Sequence, residues 1–458
     1  MTNLDTKLRN YERKYSQYFE MVEKFRKDRF KLSDLTMHEK LALGQYMENW
    51  ENYLPILEND PTSRSVLGDI VQARMGLVAL QYATLPIADL ASVQPLNEQW
   101  GVIYYRRLVA TTTRAGVTQG TTVANPAGLI YQNPDYYSEA TTQSFPTVTA
   151  QQNYNLTLSG TPLLPRYVQI TVGPAKAIDD GQGNILGTGV SGTINYATGA
   201  LVLDITNASV DLGTHQIVVT YHQNLVESNS IPGFQWKLDS KVVYSQFFTI
   251  STQYSAVSEW LVKQRFDRVL SQDLVADAVA QINSTVLSLA IRKLREAAVS
   301  NGAPVVWDAG APAGTSRAEH RITFNDAIEQ SLTKIGDRSG YAGRSFIVVG
   351  AQGRVILGTL GLKPLVKTVT GPYLLGYWDG TPVYYAPQPI LGQDEVLVGY
   401  RGTNWFESPV VYAPFMPVMT VEGPATPNPM LKNMAVAHAA AVEVVLPEFV
   451  ERIQITNF

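Results

Sequence analysis

The chain has no cysteine. That excludes a disulfide framework, thiolate zinc sites and cysteine nucleophiles, and it suits a reducing compartment. Charge is also scarce. Asp, Glu, Lys and Arg make up 17% of the 458 residues, and the formal net charge is −4. This is not the balance of a basic nucleic-acid reader. No apolar run reaches the ~18 residues that a membrane-spanning helix needs, so none is expected. The charged segment Met1–Arg29 has no apolar centre, so no signal peptide is expected. Without one, the Asn-x-Ser/Thr triplets at Asn155, Asn207 and Asn283 read as chance matches. Hydrophobic residues make up 45%, a foldable balance for a chain of roughly two to four domains.

The signatures of chemistry are missing too. There is no Gly-x-x-x-x-Gly-Lys-Ser/Thr loop to cradle phosphates. Gly350-Ala351-Gln352-Gly353 lacks the third glycine of a dinucleotide fingerprint. The histidines His38, His215, His222, His320 and His438 form no His-x-x-x-His or His-Glu-x-x-His pair, so a helical zinc site is unsupported. No Gly-x-Ser-x-Gly elbow marks a serine nucleophile. No pair of carboxylates stands out for acid–base work. Asp179-Asp180-Gly181-Gln182-Gly183-Asn184 slightly resembles a calcium loop but lacks the alternating ligands and the distant Glu, so a hairpin turn is expected. No catalytic, cofactor or metal residue is assigned.

What is present is structural bulk. The first 31 residues carry nine Lys/Arg and five Asp/Glu, a local balance of +4. Their apolar residues fall at Leu4, Leu8, Tyr11, Tyr15, Tyr18, Val22 and Phe25, a heptad stripe on a helix. Such a helix either docks on its own domain or pairs with other chains. Further helices are expected at Thr36–Tyr53 and Thr62–Tyr82. Leu85–Leu96 is extended, with Pro86 and Pro95 as breakers. A strand follows at Gly101–Thr113, then a polar loop or hairpin at Thr111–Gln152. Short alternating runs separated by turns make residues 153–224 a small all-β module. Another strand, Lys241–Ser251, leads into the longest helical pattern, Gln253–Val299, which ends at Asn301-Gly302 and has a possible break near Val269–Asp273. Residues 300–404 alternate between helix and strand, and the remainder returns to strand.

Two segments resemble a known family. Leu85-Pro-Ile-Ala-Asp-Leu-Ala-Ser-Val-Gln-Pro-Leu96 is similar to the stretch before the first strand in major capsid proteins of T-even-like tailed phages, with Ser92 and Leu96 in place of that family's Gly and Met. Gly399-Tyr400-Arg401-Gly402 and Tyr412-Ala413-Pro414-Phe415-Met416-Pro417-Val418 resemble its Gly-Tyr-Lys-Gly and Tyr-Ala-Pro-Tyr-Val-Pro-Leu stretches. The resemblance implies an α+β fold, the tailed-phage shell fold shared with encapsulins. It implies an N-terminal helical arm at 1–98 and a peripheral-domain strand at 99–111. An extended loop at 112–240 would carry the inserted β domain 153–224. A peripheral domain with a long spine helix would follow at 241–299, an axial domain at 300–404, and returning strands at 405–458.

By the same resemblance the chain is a structural subunit with no enzyme activity and no cofactor. It would assemble in the host cytoplasm into hexamers and pentamers of an icosahedral head in the virion. It would enclose double-stranded DNA without sequence specificity; a protein around packed DNA need not be basic, since tight neutralisation would pin the genome. Portal, scaffold, maturation protease and decoration proteins are its implied partners, and no membrane. The family's protease cuts after Ile/Leu-x-Glu, and Ile56-Leu57-Glu58 places such a cut between Glu58 and Asn59. Two other readings stand beside this one: an encapsulin-like compartment shell, and a β-rich glycan-binding or adhesion protein built on residues 153–224.

Overall fold

The computed structural model describes residues 3–30, 34–58, 87, 89–113, 117–120, 122–123, 136–147, 152–205, 214–228, 231–267, 269–341, 343–365, 371–402, 406–422, 428 and 430–458. The helix expected at Thr62–Tyr82 lies outside them. Helices α1 (Asn3–Phe30) and α2 (Met37–Glu58) come first. Strands β1 (Ser92–Val93), β2 (Trp100–Ala110) and β3 (Thr122–Val123) follow. Next are β4 (Ala140–Pro146), β5 (Asn153–Thr157), β6 (Gln169–Val172) and β7 (Ala175–Asp179). Then come β8 (Asn184–Gly187), β9 (Ser191–Ile194), β10 (Ala200–Asp204) and β11 (Gln216–His222). Two long strands, β12 (Phe234–Tyr244) and β13 (Gln246–Ser255), lead to helices α3 (Ala256–Phe266) and α4 (Leu270–Ser300).

The remainder alternates. Strand β14 (Val305–Asp308) precedes helices α5 (Arg317–Ile322) and α6 (Phe324–Ser339). Strand β15 (Phe346–Val349), helix α7 (Ala351–Thr359) and strands β16 (Lys363–Pro364), β17 (Tyr373–Trp378), β18 (Thr381–Tyr385) and β19 (Glu395–Gly399) follow. The chain closes with β20 (Val410–Glu422), β21 (Leu431–Val444) and β22 (Val450–Thr456). The expected α+β class holds.

Contacts divide the chain into two units: Met1–Tyr105, Asp239–Arg338 and Ala342–Phe458 in one, Arg106–Leu238 with Ser339–Tyr341 in the other. The first is built around α4. Its buried stripe, which includes Ile282, Val286, Ala290, Ile291 and Leu294, packs against two sheets. One is four-stranded in the order β1-β20-β21-β13 and contributes Val410, Tyr412, Val436 and Val442. The other is seven-stranded in the order β14-β22-β19-β15-β18-β17-β16 and contributes Phe346, Val348 and Leu397. Side chains alternate across a strand, so the intervening Ile347, Val349, Val396 and Val398 face a second core. There Phe324 and Ile328 of α6 and Ile356 and Leu357 of α7 cover them. By length and composition the stretch Asp273–Ser300 would also pass for a membrane span. Its apolar side chains are instead the centre of this core.

A buried ion-pair cluster fixes α4 to the seven-stranded sheet. Glu395 of β19 accepts from Arg295 Nε of α4 at 2.6 Å, Arg295 Nη2 at 3.1 Å and Arg452 Nη1 of β22 at 2.8 Å. Burial by itself would raise the Glu395 carboxyl; the arginine hydrogen bonds overcome it and hold the group below the ordinary Glu range.

Three expectations need correction. The pattern Gln253–Val299 is not one helix. Gln253–Ser255 ends β13, and the chain breaks at Asp267, whose φ of 53° is left-handed. That break lies just ahead of the segment Val269–Asp273. The all-β module is larger than 153–224: its eight-stranded antiparallel sheet, β4-β11-β6-β7-β8-β9-β10-β5, takes in β4 from Ala140 onward. Strand β4 reads Ala-Thr-Thr-Gln-Ser-Phe-Pro, too polar to register as a strand on hydrophobic periodicity. The third correction concerns α1. Its buried positions are Tyr11, Tyr15, Phe19, Val22 and Arg26, so Phe19 joins a stripe in which Leu8, Tyr18 and Phe25 are only partly buried. A docked helix follows 3.6 residues per turn, whereas a heptad seam needs 3.5.

The second unit's sheet buries Ile217, Val219 and Tyr221 of β11 with Ile170, Leu201 and Leu203. Asp179–Asn184 closes the β7–β8 hairpin, as expected. The Asp179 carboxylate accepts from the Arg166 and Gly181 amides and the Tyr196 hydroxyl at 2.7, 2.9 and 2.6 Å. The turn itself therefore employs that carboxylate.

Glu395→Gln should lower the unfolding free energy of dispersed subunits by about 2 kcal/mol, a figure reduced because Arg295 is partly exposed. The Glu395 stabilisation is present above the unfolded Glu pKa of about 4.3 and is lost as pH falls through the lower folded value. Urea titrations at pH 7 and at pH 3 should show the gap between variant and parent closing in acid.

Candidate assembly surface

The two segments that carry the family resemblance meet in space. Ser92 and Val93 pair in parallel with Val411 and Tyr412. The pairing continues as Gln94 N donates to Tyr412 O at 2.9 Å and Leu96 N to Pro414 O at 2.8 Å. The Gln94 side chain then stands in for a strand: its Nε2 donates to Tyr104 O at 2.7 Å and its Oε1 accepts from Tyr104 N at 2.9 Å. A Cβ on Gly399 would collide with the Phe346 ring, so glycine is required there by close packing.

The N-terminal helices dock on this same sheet. Thr36 and Glu39 form a capping box at the start of α2: Thr36 N donates to Glu39 Oε2 at 2.8 Å, and Glu39 N to Thr36 Oγ1 at 3.3 Å. Tyr11, Tyr15, Phe19 and Val22 of α1 and Leu43, Met47 and Trp50 of α2 share a core with Met416, Met419 and Ala439. The basic face of α1 finds its partners on α2 or just before it. Lys14 pairs with Glu51, Lys27 with Asp34, and Arg26 with Glu39 at 2.9 Å. Of the two roles weighed for the stripe, docking on its own domain is the one realised. Glu58 is the last residue of α2; Asn59 lies outside the described residues.

Three of the five histidines take part in aromatic packing. His438 is fully buried, with Nε2 3.0 Å from Tyr412 OH and Nδ1 3.5 Å from Tyr46 OH. His320 stacks on Trp307, and His222 lies tilted against Tyr167. Among the described residues no group of three or more His, Asp or Glu is placed to hold a metal.

The unusual surface is apolar. Helix α3 has 11 residues and none is buried. Val257, Trp260 and Leu261 fall at i, i+3 and i+4 on one face of the helix; Trp260 is 59% exposed and Phe266, on another face, 68%. Strand β12 exposes Phe234, Trp236, Leu238, Val242 and Tyr244, and β13 exposes Phe247. Val242, Tyr244, Phe247 and the α3 stripe lie in the first unit, and Phe234, Trp236 and Leu238 in the second; exposed apolar side chains in such number make each a candidate surface for contact with another protein. The sequence reading places the α3 residues inside the single helical pattern Gln253–Val299, because spacing alone does not say which stripe a fold will bury.

The family model for the major capsid protein Gp23 matches residues 71–452. The chain belongs to the Gp23 major capsid protein family. It is a structural subunit that associates with copies of itself in the shell of a phage head, and its place is the virion capsid. The Gp23 match spans both resemblance segments, the exposed series and α4. No curated protein sequence matches the chain. Similar solved structures include the jumbo bacteriophage PhiKZ capsid, at 11% identity over 80% of this chain and 91% of that one, with a TM-score of 0.37. The bacteriophage PhiM1 mature capsid aligns at 14% identity over 51% and 78%, TM-score 0.34. A virus-like particle from Pyrococcus furiosus aligns at 7% identity over 48% and 81%, TM-score 0.29. At these TM-scores the structural likenesses carry no argument, and Gp23 membership rests on the family match.

Burial pushes the His438 imidazole down to about 4, a backbone hydrogen bond at Met416 working the other way. The unfolded value is about 6.5, so the neutral ring favours the fold above that pH, and its contribution is lost between about 6.5 and about 4. His438→Gln should flatten that part of the stability–pH profile of dispersed subunits. Equal slopes for parent and variant would show that the ring is not held neutral.

Proposed function

We propose that this capsid subunit forms hexamers and pentamers that close into an icosahedral head around double-stranded DNA. The observation that carries the reading is the exposed apolar side chains of the first unit: Val242, Tyr244, Phe247 and the α3 stripe of Val257, Trp260 and Leu261. A solitary subunit would leave them in water, at about 25 cal/mol per Å² of apolar surface not buried. Head-to-tail contacts between such a surface and a different patch on the next copy generate rings when the rotation closes. Many weak contacts per subunit then hold the shell through avidity. With no cysteine in the chain, cohesion comes from burial and hydrogen bonds.

In this reading α4 is the spine of a peripheral domain, the seven-stranded sheet with α6 and α7 is the axial domain at the capsomer centre, and residues 112–240 are the extended loop with its inserted β domain. The genome is held without sequence readout, in keeping with the net charge of −4. Assembly takes place in the host cytoplasm with portal, scaffold and decoration proteins as partners. A maturation protease cuts between Glu58 and Asn59. Glu58 closes α2, so the cut falls where the docked helical pair ends.

Negative-stain microscopy of the purified chain tests the reading; sealed icosahedral particles, tubes or hexamers support it, and dispersed monomers at high concentration refute it. Trp260→Glu should reduce particle yield at least ~10-fold while changing subunit stability by less than about 0.5 kcal/mol, because the side chain is exposed. For the cut, intact-mass analysis of mature particles should find a chain beginning at Asn59, and a Glu58→Ala chain should stay full length.

A further inference from the structure

We propose that the open edge of β13 is a docking strand: an extended segment of a second copy of this chain adds to the four-stranded sheet through main-chain hydrogen bonds. The proposal rests on self-association, which membership in the family supplies, and it says by which atoms two copies join.

Strand β13 is the end strand of its sheet among the described residues. All ten of its residues pair with β21 in one unbroken register, from Gln246↔Ala440 to Ser255↔Leu431. In an antiparallel pair the amides of successive residues point to opposite sides. The ladder's direction is fixed at both ends. Ala256 N donates toward β21, to Met430 O at 2.8 Å, whereas Ser245 N turns the other way, to Gln99 O at 2.8 Å. The amides and carbonyls of Phe247, Thr249, Ser251 and Gln253 therefore line the outer edge. Their side chains lie on the exposed face, while Phe248 and Ile250 pack on the core around α4.

Exposed edges invite strand pairing, and monomeric proteins guard them with charge, proline, bulges or shortness. Among the described residues the other sheet edges carry such guards or are short, β3 being only Thr122-Val123. Strand β16 is only Lys363-Pro364, and β1 only Ser92-Val93. Strand β14 has four residues and ends in Asp308; β5 has five; β4 ends in Pro146. Strand β12 carries Lys237, Asp239 and Lys241. Strand β13 reads Gln-Phe-Phe-Thr-Ile-Ser-Thr-Gln-Tyr-Ser, ten residues with no charge, proline or glycine. It is both the longest end strand of the first unit's two sheets and an unguarded one.

The occupant is a second copy because the edge is continuous with the surface that copies cover. Ser255, the last residue of β13, is the N-cap of α3, and Phe247 stands exposed on the same strand. One neighbour can cover the α3 stripe and reach the edge beside it. Strand addition uses the backbone for affinity, which fits an edge whose outward side chains are small or neutral.

Residue-resolved hydrogen exchange on the full chain, as dispersed subunits and as assembled shells, tests this. In dispersed subunits the amides of Phe248, Ile250 and Thr252 are already protected, and those of Phe247, Thr249, Ser251 and Gln253 exchange freely. On assembly these four should slow by at least ~100-fold. Shells in which the four exchange as fast as in dispersed subunits would overturn the proposal and leave the shell reading intact; a chain that builds no shell would end both. Ser251→Pro removes an outward amide, a place where an edge strand tolerates proline. It should keep the subunit's thermal unfolding transition and cut particle yield at least ~10-fold, and normal shells from this variant would equally overturn the proposal.

Discussion

Everything in the first unit depends on the burial of one helix between two sheets. The 31 residues of α4 place an apolar stripe against the four-stranded sheet and the seven-stranded sheet together. Ala42 of α2 and Ile87, Leu90 and Ala91 complete the same core at its margin. Glu395 sets the helix in register, since it is bound from both sides by Arg295 of α4 and Arg452 of β22. A carboxylate this buried is tolerated only because its lone pairs are filled. A shift of α4 along its axis would cost Glu395 both Arg295 hydrogen bonds and leave it Arg452 and the Gly392 amide.

That constraint divides the apolar residues of the chain into two populations. One is consumed inside the subunit, by α4, by the second core under α6 and α7, by the β module and by the docked helices α1 and α2. The other is left largely exposed: Val242, Tyr244, Phe247 and the α3 stripe in the first unit, and Phe234, Trp236 and Leu238 in the second. The break at Asp267 creates the division. Had the helical pattern run on without it, the stripe of Val257, Trp260 and Leu261 would have continued the buried line of α4. With the chain turned through a left-handed residue, the short helix faces solvent, and a subunit with a complete core still carries surface that belongs in contact with another copy.

Much of this was legible in the residues. The start of α2, the end of α4 at Asn301-Gly302 and the alternating strands of the β module follow from local rules of periodicity and turn chemistry. The basic character of α1 was visible too, but its use was not. Lys14, Lys27 and Arg26 meet carboxylates on or beside α2, so a charge excess that invites thoughts of an external partner is largely answered within the chain. Strand β4 went unseen because Thr, Gln and Ser give no hydrophobic alternation; it exists because β11 offers it a complete ladder from Ala140 to Pro146.

The residues by themselves determined the class of fold, the order of the elements and, through two short segments more than 300 positions apart, the family. Those segments are recognisable for a reason that is not sequential. They lie side by side, and the backbone pairing of Ser92–Leu96 with Val411–Pro414 restricts both at once. Tertiary structure alone decided which of several equal apolar stripes would be buried and which would remain outside, and which strand edge would stay open. Periodicity describes a single element, whereas burial is a relation between elements, and only the packed chain contains that relation.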